Sequence, residues 1–142
     1  MFEQMRSIKL LSDPTFGQYG EIISYNEGNP AGFQIILSEP LATGWRIAVK
    51  KTTDRKLTEL GRHPDSRESF EPVEGITLIA VALPETPEAV DIFLLDQPVC
   101  LYKNIWHNTI CLSEKSYLKI TENNQVSSEI HVLRQNLKIV VV

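Results

Sequence analysis

Cysteine is scarce in this sequence: Cys100 and Cys111 are the only two in 142 residues. Neither has a partner at zinc-finger or redox-motif spacing, which excludes a disulfide scaffold, a Cys-based zinc module and a thioredoxin-type centre. We read both as reduced, partly buried thiols of a cytoplasmic protein. Long hydrophobic runs are missing too. The longest, Ile76 to Leu83 and Ile139 to Val142, fall far short of a membrane span. Met1 to Arg6 lacks the basic region and apolar core of a secretory signal. Nor is there an excess of positive charge: 14 Lys and Arg stand against 18 Asp and Glu, a net charge of −4. With the signs mixed and no basic stripe or Arg-rich arm, no nucleic-acid partner is expected, and no membrane either. Histidine is rare as well. His63, His107 and His131 are the only positions where imidazole chemistry could arise.

What is present suits one domain spanning 1–142. The apolar fraction of 42% and charged fraction of 23% are those of a globular chain long enough for a single core. Ser12-Asp13-Pro14 offers an N-cap with Pro in the first turn, and Phe16, Tyr19, Ile22 and Ile23 recur at helical spacing, which predicts a short N-terminal helix. A turn cluster follows at Asn26, Gly28, Asn29, Pro30 and Gly32. Thereafter the pattern is of strands: Phe33 to Leu37, Trp45 to Val49, Ile76 to Leu83, Val90 to Leu95, Tyr117 to Ile120, Ile130 to Leu133 and Leu137 to Val142. Frequent short strands with little helical period predict a mainly β fold, an antiparallel sandwich or barrel. Ile76 to Leu83 is apolar on both alternating faces and requires cover on both sides, by a sheet within and by a helix or a second subunit without.

Two histidines keep informative company. His63 is followed by Glu68 and then Gly75, with Pro64 between, which frames a strand–turn–strand unit carrying an imidazole and a carboxylate. Both types offer lone pairs to a divalent metal or to general acid–base work. His107 lies in Lys103-Asn104-Ile105-Trp106-His107-Asn108-Thr109, where an ammonium, an aromatic, an imidazole and a carboxamide could wall a polar pocket. His131 falls in the C-terminal strand region and reads as a strand or surface residue.

Four stretches, in order, resemble the ureidoglycolate lyase (ureidoglycolate hydrolase) family of the cupin superfamily. Leu11-Ser12-Asp13-Pro14-Thr15-Phe16-Gly17-Gln18-Tyr19-Gly20-Glu21-Ile22-Ile23 is similar to that family's opening. Leu60-Gly61-Arg62-His63-Pro64 leading to Glu68, Phe70 and Pro72 resembles its most specific signature. Asn104-Ile105-Trp106-His107 resembles a later element, and Glu129 to Val142 suits the closing strand pair. The resemblance implies a cupin-like double-stranded β-helix, or jelly-roll barrel, a homodimer, and a pocket in the barrel mouth that accepts a small carboxylate. The activity it implies is C–N lyase cleavage of ureidoglycolate to glyoxylate and urea in allantoin breakdown. In that reading His63 and His107 share acid–base or ligand duty, Glu68 orients or ligates, and Lys103 anchors the carboxylate.

The chain also departs from the pattern. Gly61 stands where cupins commonly place the first of two histidines, Asn108-Thr109 follows His107 where the family continues with His-Pro, and the segment Asn26 to Gly32 is short. A divalent metal would have His63, Glu68 and His107 as ligands, with water completing the shell; a site without metal is an equal expectation. These departures keep a second function open, a non-catalytic or divergent cupin that binds a small carboxylate or another small hydroxy acid.

Overall fold

The computed structural model describes residues 6–140. Its elements, in chain order, are β1 (Ile8–Lys9), α1 (Asp13–Phe16), β2 (Gly20–Ile22), β3 (Trp45–Thr52), β4 (Lys56–Arg62), β5 (Glu68–Glu74), β6 (Thr77–Ala82), β7 (Asp91–Leu94), β8 (Val99–Leu101), β9 (Trp106–Cys111), β10 (Ser116–Asn123) and β11 (Glu129–Lys138). They form two sheets, one ordered β1-β7-β6-β9-β4-β11 and the other β2-β8-β5-β10-β3. All the strand pairs are antiparallel except β1 with β7. The runs β3-β10-β5-β8 and β4-β9-β6-β7 interleave the chain between sheets in the jelly-roll order of two Greek keys. The cupin-like, mainly β expectation is therefore met, and no helix of the described residues is long and apolar enough to cross a membrane.

The segment β6 carries the core on both of its faces. Ile79 and Val81 point between the sheets and join Phe16, Phe70, Phe93 and Leu118. Leu78, Ala80 and Ala82 point outward and join Leu57, Leu60, Trp106 and Leu133. Burying each such large side chain contributes about 1.5–3 kcal/mol. The outer face, which we expected a helix or a second subunit to cover, is closed by the chain itself. The stretch 83–90 crosses it, with the Pro84 carbonyl accepting from Trp106 Nε1 at 3.0 Å and Glu88 bonding His131 and the Arg134 amide.

Several local expectations need correction. The helix is a single turn, Asp13–Phe16, and Ile22 belongs to a strand. Tertiary packing overrides the helical spacing: Phe16 and Tyr19 stack around Phe93, and Gly20 passes so close to β8 that a Cβ there would sit 2.3 Å from the Cys100 carbonyl oxygen. Phe33 to Leu37 is not a strand. It lies in an irregular stretch between Pro30 and Pro40, held by side chains such as Asn29, whose Nδ2 donates to the Phe33 carbonyl. The two closing strands are one, β11, with a register shift between Val132 and Leu137; residues 141 and 142 lie outside the described residues. Cys100 and Cys111 are free thiols, the first half-buried and the second buried.

Candidate functional site

The three candidate groups arrive from different parts of the barrel. His107 sits on β9, directly opposite Gly61 on one side and Val81 on the other. Glu68 opens β5 in the other sheet, and His63 lies in the connection between β4 and β5. Across the gap between the sheets, Glu68 Oε1 lies 3.2 Å from His63 Nε2 and 3.2 Å from His107 Nε2. The two imidazole rings are 5.3 Å apart, and Phe70 packs edge-on against His107. The far side of each ring is anchored. His107 Nδ1 is 3.0 Å from the Ile105 carbonyl, and His63 Nδ1 is 3.1 Å from the Ser127 carbonyl and 3.0 Å from Ser128 Oγ. Asp65 in turn holds Ser127, accepting from its backbone N–H at 3.1 Å and its hydroxyl at 3.2 Å.

This outer ring of contacts decides what the inner atoms can do. A carbonyl accepts only, so each Nδ1 carries the proton and a neutral ring turns its Nε2 lone pair inward. Three lone-pair atoms then converge, and Glu68 Oε1 is buried with no hydrogen-bond donor among the described residues. Such an arrangement is stable only when something positive occupies or adjoins it. A proton serves: contact with Glu68 raises the His63 pKa against the opposing effect of burial. Burial pushes the Glu68 carboxyl up, yet its contacts with His107 and His63 outweigh that and hold it at about 2. A divalent cation fits the same donors, since the three ligand atoms lie within 4.8 Å of one another. The carbonyl-anchored imidazoles match the way metal-binding histidines are oriented.

The surrounding cavity has a volume of about 270 Å³ and is walled by Lys50, Glu59, Phe70, Asn108, Thr109 and Ile120 as well as the central triad. Lys103 is not among its walls. Its ammonium pairs with Glu39 at 3.0 Å, so the structure does not bring it to the other three. Lys50 takes that position instead, with Nζ 3.3 Å from Asn108 Oδ1. Sequence pattern gave no sign of this, because strand alternation reads Trp45, Ile47 and Val49 as the inward face. His131 is a half-exposed strand residue, bonded to Glu88 and packed at a tilt against Trp106.

Fold and site together define a cupin-like jelly roll with an imidazole–carboxylate–imidazole centre between its sheets. No family model matches the chain, and no curated protein matches it in sequence. Among solved structures it is similar to a dTDP sugar isomerase from Desulfovibrio desulfuricans G20, at 13% identity over 86% of this chain and 82% of that one, with a TM-score of 0.46. A likeness that distant carries nothing of that enzyme's chemistry to this chain.

Proposed function

We propose that the protein is an enzyme acting on a small hydroxy acid at His63, Glu68 and His107, with C–N lyase cleavage of ureidoglycolate as its reaction. The observation that supports this best is the buried Glu68 Oε1 set 3.2 Å from two imidazole Nε2 atoms whose Nδ1 sides are anchored. The cavity of about 270 Å³ has room for a substrate of about ten non-hydrogen atoms. In the reaction, His107 Nε2 takes the proton of the carbinol hydroxyl, whose oxygen becomes the aldehyde carbonyl of glyoxylate as the C–N bond breaks. The His63 imidazolium delivers its proton to the departing ureido nitrogen, which leaves as urea, and Glu68 holds both rings in register. A divalent metal, if held by His63, Glu68 and His107, would occupy the same Nε2 atoms and supply Lewis-acid charge for the substrate oxygens in place of that proton transfer.

The test is glyoxylate release from ureidoglycolate, with metal analysis of the same preparation. Loss of turnover in folded Glu68→Gln and His107→Ala supports the reading. Turnover independent of both residues would sink it. The second reading, a ligand-binding cupin without turnover, draws on Asn108, which stands where the related pattern has an imidazole and cannot transfer a proton. Saturable binding of glycolate with no glyoxylate release would favour it.

A further inference from the structure

We propose that Lys50 is the residue that holds the substrate's carboxylate, and that Asn108 is the positioning residue that aims it. This rests on the small-hydroxy-acid reading above and assigns the group that reads the charge. Two independent observations carry it.

The first is how β3 is set in the sheet. Thr52, Lys50, Ala48 and Arg46 stand opposite Ser116, Leu118, Ile120 and Glu122 of β10, and Ser116, Leu118 and Ile120 are buried. That register turns Thr52 and Lys50 toward the space between the sheets, the first buried and the second half-buried, and leaves Trp45, Ile47 and Val49 at 70%, 53% and 68% exposure. A slip of one residue would reverse the two faces, turning an apolar neighbour inward in place of Lys50 and releasing its ammonium to water. The fold keeps Lys50 in the cavity wall. Arg46, on the same face, is already committed to Glu122 at 2.9 and 2.7 Å. Lys50 is therefore the cation the cavity keeps in reserve.

The second is how Lys50 is held. Among the described residues no carboxylate forms an ion pair with it, and its polar contact is the neutral Asn108 Oδ1 at 3.3 Å. An ammonium has three N–H donors, so two remain to be used. Burial lowers its pKa, against the attraction of Glu68 and Asp54, which marks a partly desolvated charge that gains from an anionic partner. Asn108 cannot turn away: its Nδ2 donates to the Glu59 carbonyl at 2.9 Å, and its Oδ1 accepts from the Thr109 amide at 2.8 Å. The carboxamide after His107 thus aims the ammonium at the space beside the central triad. Its presence where an imidazole would be expected acquires a purpose.

Isothermal titration of the purified protein, with and without prior chelation, uses glycolate and its uncharged amide, glycolamide, as probes. Wild type should bind glycolate at least tenfold more tightly than glycolamide. Lys50→Met should weaken glycolate by about ten- to a hundredfold and leave glycolamide unchanged, with Lys50→Arg recovering part of the loss. Asn108→Ala should weaken glycolate several-fold. The proposal is overturned if wild type shows no saturable glycolate binding, if both probes bind equally, if Lys50→Met and Lys50→Arg bind glycolate as wild type does, or if Lys103→Met removes binding instead. Loss of glycolate binding in Lys50→Met without any turnover of ureidoglycolate would remove the lyase reading and keep the anchor. Turnover that depends on Glu68 with glycolate binding indifferent to Lys50 would do the reverse.

Discussion

Glu68→Gln keeps the shape of the side chain at the centre of the site and removes its charge, so its cost can be worked from the geometry. In the metal-free protein the carboxyl titrates at about 2 instead of the usual 4.5. That difference corresponds to about 3 kcal/mol of stability carried by the ionised form. The pKa is depressed on folding, so the contribution is complete above pH 4.5 and is lost as pH falls toward 2. His63 is raised above 6.5 by the same contact, so its side of the interaction is complete below 6.5 and fades as pH rises through the raised value. Wild type should then exceed Glu68→Gln by the widest margin between 4.5 and 6.5. For a domain of this size the gap should approach 10 °C in Tm, at about 3 °C per kcal/mol. Thermal melts of chelator-treated protein by circular dichroism, from about pH 3 to 8, measure it. A mutant whose melting temperature runs parallel to wild type across that range would refute the account of Glu68 as a charged centre held by two imidazoles.

Three further outcomes follow from other parts of the molecule. Zinc(II) titrated into chelator-treated protein should saturate at one ion per chain and release more protons below the raised pKa of His63 than above it; calorimetry in buffers of different ionisation enthalpy reads this directly. Asp65→Ala should loosen Ser127 and with it His63 Nδ1, lowering zinc affinity about ten- to a hundredfold with the fold intact, as a chelator competition assay would show. Gly75→Ala should destabilise by more than 1 kcal/mol in urea unfolding, because φ is +79° there and the added Cβ would lie 2.3 Å from the Lys115 carbonyl oxygen.

The parts of the fold legible in the sequence are those whose side chains answer to burial alone. Thr77–Ala82 is apolar on both faces because both faces are buried, and its pattern announced a doubly covered strand. What covers it was not legible. The closing stretch 83–90 is rich in proline and turns, and it acts through the bonds of Pro84 and Glu88 and through a single buried apolar residue, Val90. Phe33 to Leu37 misled for the opposite reason: Phe33 and Ile35 are strand formers by type, but they are exposed, with no neighbouring strand offering a ladder.

The strands that build the site were the hardest to read, and the cause is the site itself. Glu68–Glu74 and Trp106–Cys111 turn Glu68 and His107 inward, toward a cavity that Glu59 and Gly61 of Lys56–Arg62 also line, so the alternation that marks a half-buried strand is broken where chemistry is placed. The short motifs singled out His63, Glu68 and His107 by residue type and order, which do not depend on strand alternation, and the fold brings the three side chains together. They gave no purchase on the cation. Lys103 lies in the motif but pairs with Glu39, whereas Lys50 sits beside Lys51 in a stretch that reads as a solvated strand end. Only the pairing of Ser116, Leu118 and Ile120 with Thr52, Lys50 and Ala48 sends one of those two neighbouring lysines inward and the other out. The charge that would recognise a substrate is thus written in strand register, a property of two distant segments, and not in either segment's own sequence.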